Sequence, residues 1–352
     1  MNEKFSRLII ESSATVLSAL KQMDAAQHKL LVVAKDGKFE SMFSIGDVQR
    51  AIIKGVDLNT PIESILREVN ITIAKEGDDM DTIKELMREE RIEFMPIINA
   101  EGNVKDVIFW KDIFDETEND LREPIDLPVV IMAGGKGTRL KPLTNVIPKP
   151  MVPIGDKTIL EAIIDQFELI GCHKYYISVN FKVDILKYYM DNLDHKYDIT
   201  YFQEDKPLGT IGSISLLKGK IETPFFVSNC DSLIDQDFRD VYDYHVENKN
   251  DLTIVTTVKS FKIPYGVLET GENGLMIGLL EKPELTYQIN TGVYILNPKC
   301  INEIPEGKLF HITHLMEKIK SRGGRVGCFP VSEYAWRDMG EWPEYLKMIK
   351  VL

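Results

Sequence analysis

Three glycines in four positions, Gly134, Gly135 and Gly137, follow directly on the apolar run Val129-Val130-Ile131-Met132. Backbone without Cβ atoms can bring its N–H groups close to an anion and fold them into a concave nest. Arg139 stands two residues further on, and its planar fork grips phosphate oxygens in pairs. Ala133, Gly134, Gly135, Lys136, Gly137 and Thr138 therefore read as a cradle for a polyphosphate, with Arg139 as its clamp. The loop is not a Walker A motif, and Leu140 stands where the dinucleotide fingerprint has its third glycine. A glycine-rich loop alone also serves as a plain turn, so its meaning depends on what holds it.

The surrounding pattern alternates apolar strands with amphipathic helices. Strands are expected over residues 128–132, 175–179 and 225–228, and helices over 159–170 and 183–193. The first helix carries its apolar stripe on Ile159, Ile163, Ile164, Phe167 and Ile170, at helical spacing. Such alternation predicts an α/β domain, Rossmann-like, with a mostly parallel sheet and helices on both faces. Ligands bind such sheets at the carboxyl ends of strands, which is where the glycine loop falls.

The loop continues as GGKGTRLKPLTNVIPKPMVPIGDKTIL over residues 134–160. This resembles the signature of the sugar-phosphate nucleotidyltransferases, the pyrophosphorylases that make UDP-, dTDP- and GDP-sugars. The likeness runs through residues 127–352, with Thr158 as one departure where the family commonly has proline. It implies attack by an oxygen of a sugar 1-phosphate on the α-phosphorus of a nucleoside triphosphate, with loss of pyrophosphate. Two polyanions must meet, so cations and a metal should supply most of the catalysis. The resemblance implies that Lys149, stiffened between Pro148 and Pro150, reaches between the two phosphates. It implies Mg²⁺ on Asp231 and Asp338, since magnesium needs only one or two carboxylates beside phosphates and waters. It also implies that Lys282 binds the sugar phosphate and Glu281 a sugar hydroxyl, with Gly266, Asn290 and Thr291 lining the sugar pocket. An inactive regulatory subunit would be expected to lose a phosphate cation or a metal aspartate, and this chain keeps Arg139, Lys149, Asp231, Lys282 and Asp338.

The segment Glu204-Asp205-Lys206-Pro207-Leu208-Gly209-Thr210 matches the family's base-reading loop, with Glu204, Gly209 and Thr210 as nucleotide contacts. Uridylyl- and thymidylyltransferases tend to carry glutamine where Glu204 stands. A carboxylate only accepts hydrogen bonds, and guanine offers two adjacent donors, so the residue favours GTP. Gln203 is the alternative reader, and a slip of one residue would reverse the choice.

Residues 1–118 carry an internal repeat. TVLSALKQM and LLVVAKDGKFESMFSIGDVQRAI are echoed by DTIKELMRE and MPIINAEGNVKDVIFWKDIF. Each copy reads as helix, strand, turn (Asp36-Gly37 or Glu101-Gly102), strand and closing helix. Neither copy is large enough to bury its own core, so the two should pack together. The pattern resembles paired CBS domains, which implies a regulatory adenine or guanine nucleotide whose ribose is held by Ser44 and Asp47. Phe109-Trp110-Lys111-Asp112 lacks the hydroxyl in the second copy. The same residues also read as a helix cap, and such modules also assemble subunits into homo-oligomers. An acidic stretch at 115–126 leads to a linker at 119–126 and a catalytic domain at 127–352. CBS repeats ahead of this domain resemble the glucosamine-1-phosphate guanylyltransferases of bacterial legionaminic acid synthesis, with mannose or heptose 1-phosphate as other acceptors.

Composition excludes several classes. The chain has 352 residues, 44% hydrophobic and 28% charged, with a formal net charge of −13. With no dense Lys/Arg cluster, a nucleic acid partner is not expected. No apolar run approaches the ~18 residues of a membrane span, and the start MNEKFSRLIIESS is no signal peptide. The reading is a cytoplasmic protein, with Cys172, Cys230, Cys300 and Cys328 as buried fillers in a reducing compartment. His311 and His314 are expected to be ordinary helix residues, and the chain stops at Leu352 without a hexapeptide repeat.

Overall fold

The computed structural model describes residues 7–67, 71–90, 92, 94–113, 124–193 and 198–351. They form two compact units, Met1–Glu123 and Pro124–Leu352. Residues 119–123 of the expected linker lie outside the described residues, while Ile125 already belongs to the second unit, donating its N–H to Ile170 O at 2.6 Å.

The first unit is built twice. Strand β1 (Ile9–Glu11), helix α1 (Val16–Ala26), β2 (Leu30–Lys35), β3 (Lys38–Ser44) and α2 (Ile45–Ile53) make the first copy. The second is β4 (Ala74–Lys75), α3 (Met80–Glu90), β5 (Phe94–Ile98), β6 (Val104–Phe109) and α4 (Trp110–Ile113). Each sheet pairs its first two strands parallel and its last two antiparallel. Asp36 and Gly37, at φ 52° and 79°, close the first hairpin in the left-handed geometry that matches strand twist. Leu30, Val32 and Met42 of one copy share a core with Val104 and Val107 of the other, so the halves depend on each other.

The second unit holds a seven-stranded sheet in the order β11-β10-β7-β12-β17-β14-β18. After β7 (Val129–Met132) come a short hairpin, β8 (Pro153–Ile154) and β9 (Lys157–Thr158), then α5 (Ile159–Glu168), β10 (Lys174–Val179), α6 (Val183–Asp191) and β11 (Asp198–Gln203). Next are β12 (Phe225–Asn229), β13 (Ser232–Ile234), α7 (Phe238–Glu247) and β14 (Leu252–Lys262). The chain ends through β15 (Val267–Thr270), β16 (Met276–Leu280), β17 (Glu284–Leu296), α8 (Ile312–Ser321), β18 (Val326–Val331), β19 (Trp336–Asp338) and α9 (Trp342–Val351). Strands β11, β10, β7 and β12 are mutually parallel, and β17 runs against both β12 and β14. The expected mixed α/β fold with a parallel-rich sheet is what forms.

Alternation along β7 shows how the sheet is buried. Val129 and Ile131 face a core with Ile159, Ile163 and Phe167 of α5, while Val130 faces the opposite core with Leu315 and Ile319 of α8. Both faces are dry, so only strand ends and loops remain to carry chemistry. Thr158, the family departure, forms a capping box with Glu161 and starts α5 as well as a proline would. The cysteine reading needs one correction. Cys172, Cys230 and Cys300 are buried fillers, but Cys328, on the edge strand β18, is exposed.

Candidate functional site

The carboxyl ends of β7, β11 and β12 open into one cleft of about 350 Å³. Its lining comes from the glycine loop after β7, the loop after β11 and the end of β12, with Gly340 closing one side. Gly137 takes φ 62°, and a Cβ there would press on Thr144 and Lys149 at 2.9 and 3.0 Å, so glycine is required to let the loop turn. Thr144 fixes that turn by donating its hydroxyl to Gly137 O at 2.7 Å. Gly134, Gly135, Thr138 and Arg139 line the cleft, whereas Ala133 is buried and Lys136 points to solvent.

Charge is concentrated beside the glycine loop, where a Cβ on Gly137 would lie 3.0 Å from Lys149 Cβ. Lys149 is only 8% exposed, and its ammonium donates to the Asp231 carboxylate. Asp231 follows β12, and Asp338 ends β19, which pairs antiparallel with β13 in a register that sets Ser232 opposite Asp338. Met339 N–H donates to Asp231 O at 2.7 Å and ties the two turns together. Arg139 lies 3.5 Å from Asp231, 3.7 Å from Asp338 and 2.9 Å from Glu341. Burial and the neighbouring Asp231 charge push the Asp338 carboxyl above the usual range, against a downward pull from Gly340 N–H, Arg139 and Lys149. Burial pushes the adjacent Cys230 thiol up to about 12, which keeps it neutral and out of the chemistry.

Gly340 reveals what this corner is shaped for. A Cβ there would lie 2.7 Å from Asp231 Oδ2, 2.8 Å from Asp338 Oδ1 and 2.8 Å from Arg139 Nη2. Two carboxylate oxygens thus converge on one small space. Such a donor set suits a hard divalent cation that takes one or two carboxylates and completes its shell with phosphate and water. Among the described residues there is no group of three or more candidate ligands, so a cation here would depend on its substrate.

The loop after β11 settles which residue faces inward. Strand periodicity sends Gln203 to solvent and turns Glu204 inward, 7% exposed. Glu204 Oε1 accepts from the Ser178 hydroxyl at 3.1 Å and Oε2 from Leu208 N–H at 2.8 Å. A carboxylate has about four acceptor sites, so capacity remains toward the cleft. Gly209, at φ 87°, passes against Phe310 O, where a Cβ would come within 2.7 Å. Thr210 lines the cleft too, and its hydroxyl accepts Ile312 N–H at 2.9 Å, capping α8.

The expected sugar residues are not gathered in the same way. Gly266, Glu281 and Lys282 flank the exposed β15–β16 hairpin and do not line the cleft, although Glu281 and Lys282 lie 4.0 Å apart. Lys282 takes φ 47° ahead of Pro283, a backbone conformation that side chains and a following proline both disfavour. Thr291 is buried with its hydroxyl given to Val255 O at 2.8 Å, and Asn290 Oδ1 accepts Gly292 N–H at 3.0 Å. His314 Nδ1 accepts His311 N–H at 3.2 Å, a helix cap. Sequence reading did not single out Glu341, Ser178 or Asn229, the last of which lines the cleft at the end of β12. Ser178 was legible only as a small polar residue in an apolar strand, and Glu341 as a third acid close behind Asp338.

In the first unit, Ser44 and Asp47 form a capping box at the start of α2. Asp47 also pairs with Arg50 at 2.5 Å and Arg67 at 2.9 Å, yet both residues line a cavity of about 230 Å³ with Arg67, Ile71, Thr72 and Phe94. The side chain of Asp112 lies outside the described residues.

The sequence pattern of the nucleotidyl transferase family matches residues 128–352, the whole cleft included. The chain belongs to that family. Among curated relatives, a mannose-1-phosphate guanyltransferase of Yarrowia lipolytica is 34% identical over 225 residues, 62% of this chain and 61% of that protein. One from Pichia angusta is 31% identical over 226 residues, 62% of each chain. The chain therefore spans about 62% of the length of the curated relatives it matches. A solved candidate glucose-1-phosphate thymidylyltransferase of Bacillus anthracis, in complex with a sucrose, is 21% identical with a TM-score of 0.51, covering 64% of this chain and 94% of that one. That last likeness speaks for the fold alone. No helix among the described residues of this family member is long and apolar enough to cross a membrane.

Proposed function

We propose that this nucleotidyl transferase moves guanylate from GTP to a sugar 1-phosphate, releasing pyrophosphate and making a GDP-sugar in the cytoplasm. The observation that carries the choice of base is the inward carboxylate of Glu204, which lines the cleft beside Gly134 of the glycine loop. Guanine N1–H and its 2-amino group are two adjacent donors that a carboxylate accepts together, whereas uracil or thymine would set a carbonyl against it. The guanyltransferase names of the curated relatives support the same choice.

The chemistry follows from charge. The backbone nest at Gly134–Gly137 and the Arg139 guanidinium hold the β- and γ-phosphates, and Thr138 adds a hydroxyl. Lys149 leaves Asp231 to lie between the attacking sugar phosphate and the α-phosphoryl group. There it offsets charge that neither polyanion can shed alone. Asp231 and Asp338 would hold Mg²⁺, which when bound polarises phosphoryl oxygens and neutralises developing charge. Lys282 meets the sugar phosphate and Glu281 a hydroxyl, with Gly266, Asn290 and Thr291 forming the wall behind the ring. For Lys282 to do so, the β15–β16 hairpin must approach the cleft.

Two acceptors stand in the foreground. Mannose 1-phosphate is favoured by the relatives' names, and glucosamine 1-phosphate by the likeness of the repeated first unit to the CBS modules of legionaminic acid enzymes. That likeness also underlies a regulatory nucleotide at Ser44 and Asp47 and a homo-oligomer built through the module. The test is a panel of GTP, ATP, UTP and dTTP against mannose, glucosamine, glucose and heptose 1-phosphates, read by pyrophosphate release. We expect GTP to lead by on the order of 10²-fold over pyrimidine nucleotides. Equal use of UTP would overturn the base assignment, and no turnover at all would overturn the enzyme.

A further inference from the structure

Glu341 is not part of the cleft lining, yet among the described residues it makes the shortest ion pair of Arg139, 2.9 Å from Oε1 to Nη1. The next residue, Trp342, donates its indole N–H to Lys141 O at 2.9 Å. The start of α9 thus grips the segment bearing Arg139 at two points, one on the side chain and one on the backbone. Held this way, the guanidinium also lies within 3.5–3.7 Å of Asp231 and Asp338, while Lys149 is bonded to Asp231. Arg139 and Lys149, the two cations of the cleft, are engaged by acids, and both acids that a divalent cation needs are covered by cations. A triphosphate arriving alone finds its clamp occupied, and a cation arriving alone finds its carboxylates taken.

We propose that Glu341 is a positioning residue that parks Arg139 against the Asp231–Asp338 pair in the substrate-free protein, so that triphosphate and divalent cation bind as a pair, each freeing the groups the other needs. This rests on the reading of Arg139 as a triphosphate ligand and of the two aspartates as metal ligands, and it adds Glu341 to neither set. A ligand that needs a minor state binds more weakly by the fraction of time that state is populated. Arg139 and Glu341 are 54% and 53% exposed, so their contact biases the guanidinium and does not lock it.

The test is the variant Glu341→Gln in the full chain, with Glu341→Ala as a second variant that removes the same charge by a different shape. Binding of GTP in excess chelator is followed by calorimetry and by intrinsic tryptophan fluorescence, to which Trp342 beside Glu341 contributes. We expect both variants to bind GTP roughly two- to fivefold more tightly than wild type without a divalent cation, the size of a half-exposed charge contact. With saturating Mg²⁺, KM for GTP should fall by a similar factor while kcat stays within about twofold. Unchanged or weaker binding of GTP in chelator, in a wild-type enzyme that turns GTP over, overturns the parking and leaves the function standing. A wild type that neither binds nor turns over any triphosphate overturns both.

Discussion

In the proposed reaction Glu204 reads the base, and its surroundings say how to test that role. Gln at this position can keep one oxygen for Leu208 N–H and present an amide N–H₂ where Glu204 has Oε1. That amide pairs with one acceptor and one donor, which suits a pyrimidine edge and leaves a guanine donor unpaired. Glu204→Gln should therefore lower kcat/KM for GTP by on the order of 10²-fold relative to UTP or dTTP, measured side by side. An unchanged ratio would remove Glu204 as the base reader. Asp231→Asn and Asp338→Asn should each lower kcat by roughly 10²–10³-fold with little change in melting temperature, and excess chelator should silence the wild type. At this scale the sequence was legible in placement, since Arg139, Lys149 and Glu204, picked out by type and order, line one cleft, while Gln203 faces solvent. It was not legible where a side chain matters through an unforeseeable neighbour. Nothing in one dimension tells that Glu341 meets Arg139, because the contact joins two turns separated by most of the domain.

Elements explain why those side chains stay in place. The turn at Gly340 brings Asp231, Asp338 and Arg139 within 2.8 Å of the same point, so Gly340→Ala must push charged groups apart. We expect kcat/KM to fall roughly 10²-fold from misplacement of that order, with a stability loss of about 1–3 kcal/mol, read by kinetics and thermal unfolding. A second element-scale test lies away from the cleft, where α7 packs on β14. His245 is 2% exposed, and burial pushes its imidazole down to about 4 against a weaker upward pull from Asp251. Thr253 Oγ1 accepts from Asn250 at 3.1 Å and lies 2.9 Å from His245 Nδ1, a contact that a neutral ring satisfies. Because the folded pKa lies below the ordinary 6.5, the unfolded chain takes up the proton first as pH falls. Stability should drop from pH 6.5 towards about 4, by on the order of 3 kcal/mol, and level off below. His245→Gln should flatten that slope in denaturant unfolding, and an equal slope would assign it to other groups. The strands and helices from 128 to 193 were readable because each alternates or repeats over a buried face. The β14–β17 arm and the β15–β16 hairpin were not, since Leu268, Met276, Ile277 and Leu279 are exposed and obey no core periodicity. The antiparallel β17 was also invisible, because strand direction is fixed by connections and not by composition.

At the scale of the whole molecule, the question is what a duplicated first unit adds to a family member whose cleft lining, among the described residues, comes from the second unit. The repeat was legible because both copies bury the same apolar pattern, and their shared core of Leu30, Val32, Met42, Val104 and Val107 gives the duplication a physical reason. What the repeat does was less legible, because Ser44 and Asp47 serve a helix cap as readily as a ribose. Asp47 is held by Ser44, Arg50 and Arg67 at once, so a ribose must displace an arginine to reach it. Arg67 is the one that can give way, being more than half exposed and held from 20 residues away in the chain. Its guanidinium would then meet the phosphate of the same nucleotide, so displacement and binding are one event. We therefore expect AMP or ATP to bind the full chain with saturable heat below millimolar concentration, and Asp47→Ala to lose that heat while keeping wild-type turnover in the absence of AMP or ATP. Bound nucleotide can alter turnover only by its preference between two states, with couplings of ~1–3 kcal/mol, or roughly 5–150-fold. Deleting residues 1–123 should then abolish any response of the proposed guanylyl transfer to AMP. If AMP and ATP give no heat at millimolar concentration, and the deletion changes only the mass in solution, the first unit is an assembly device. Its cap at Ser44 would then be the whole role of that motif.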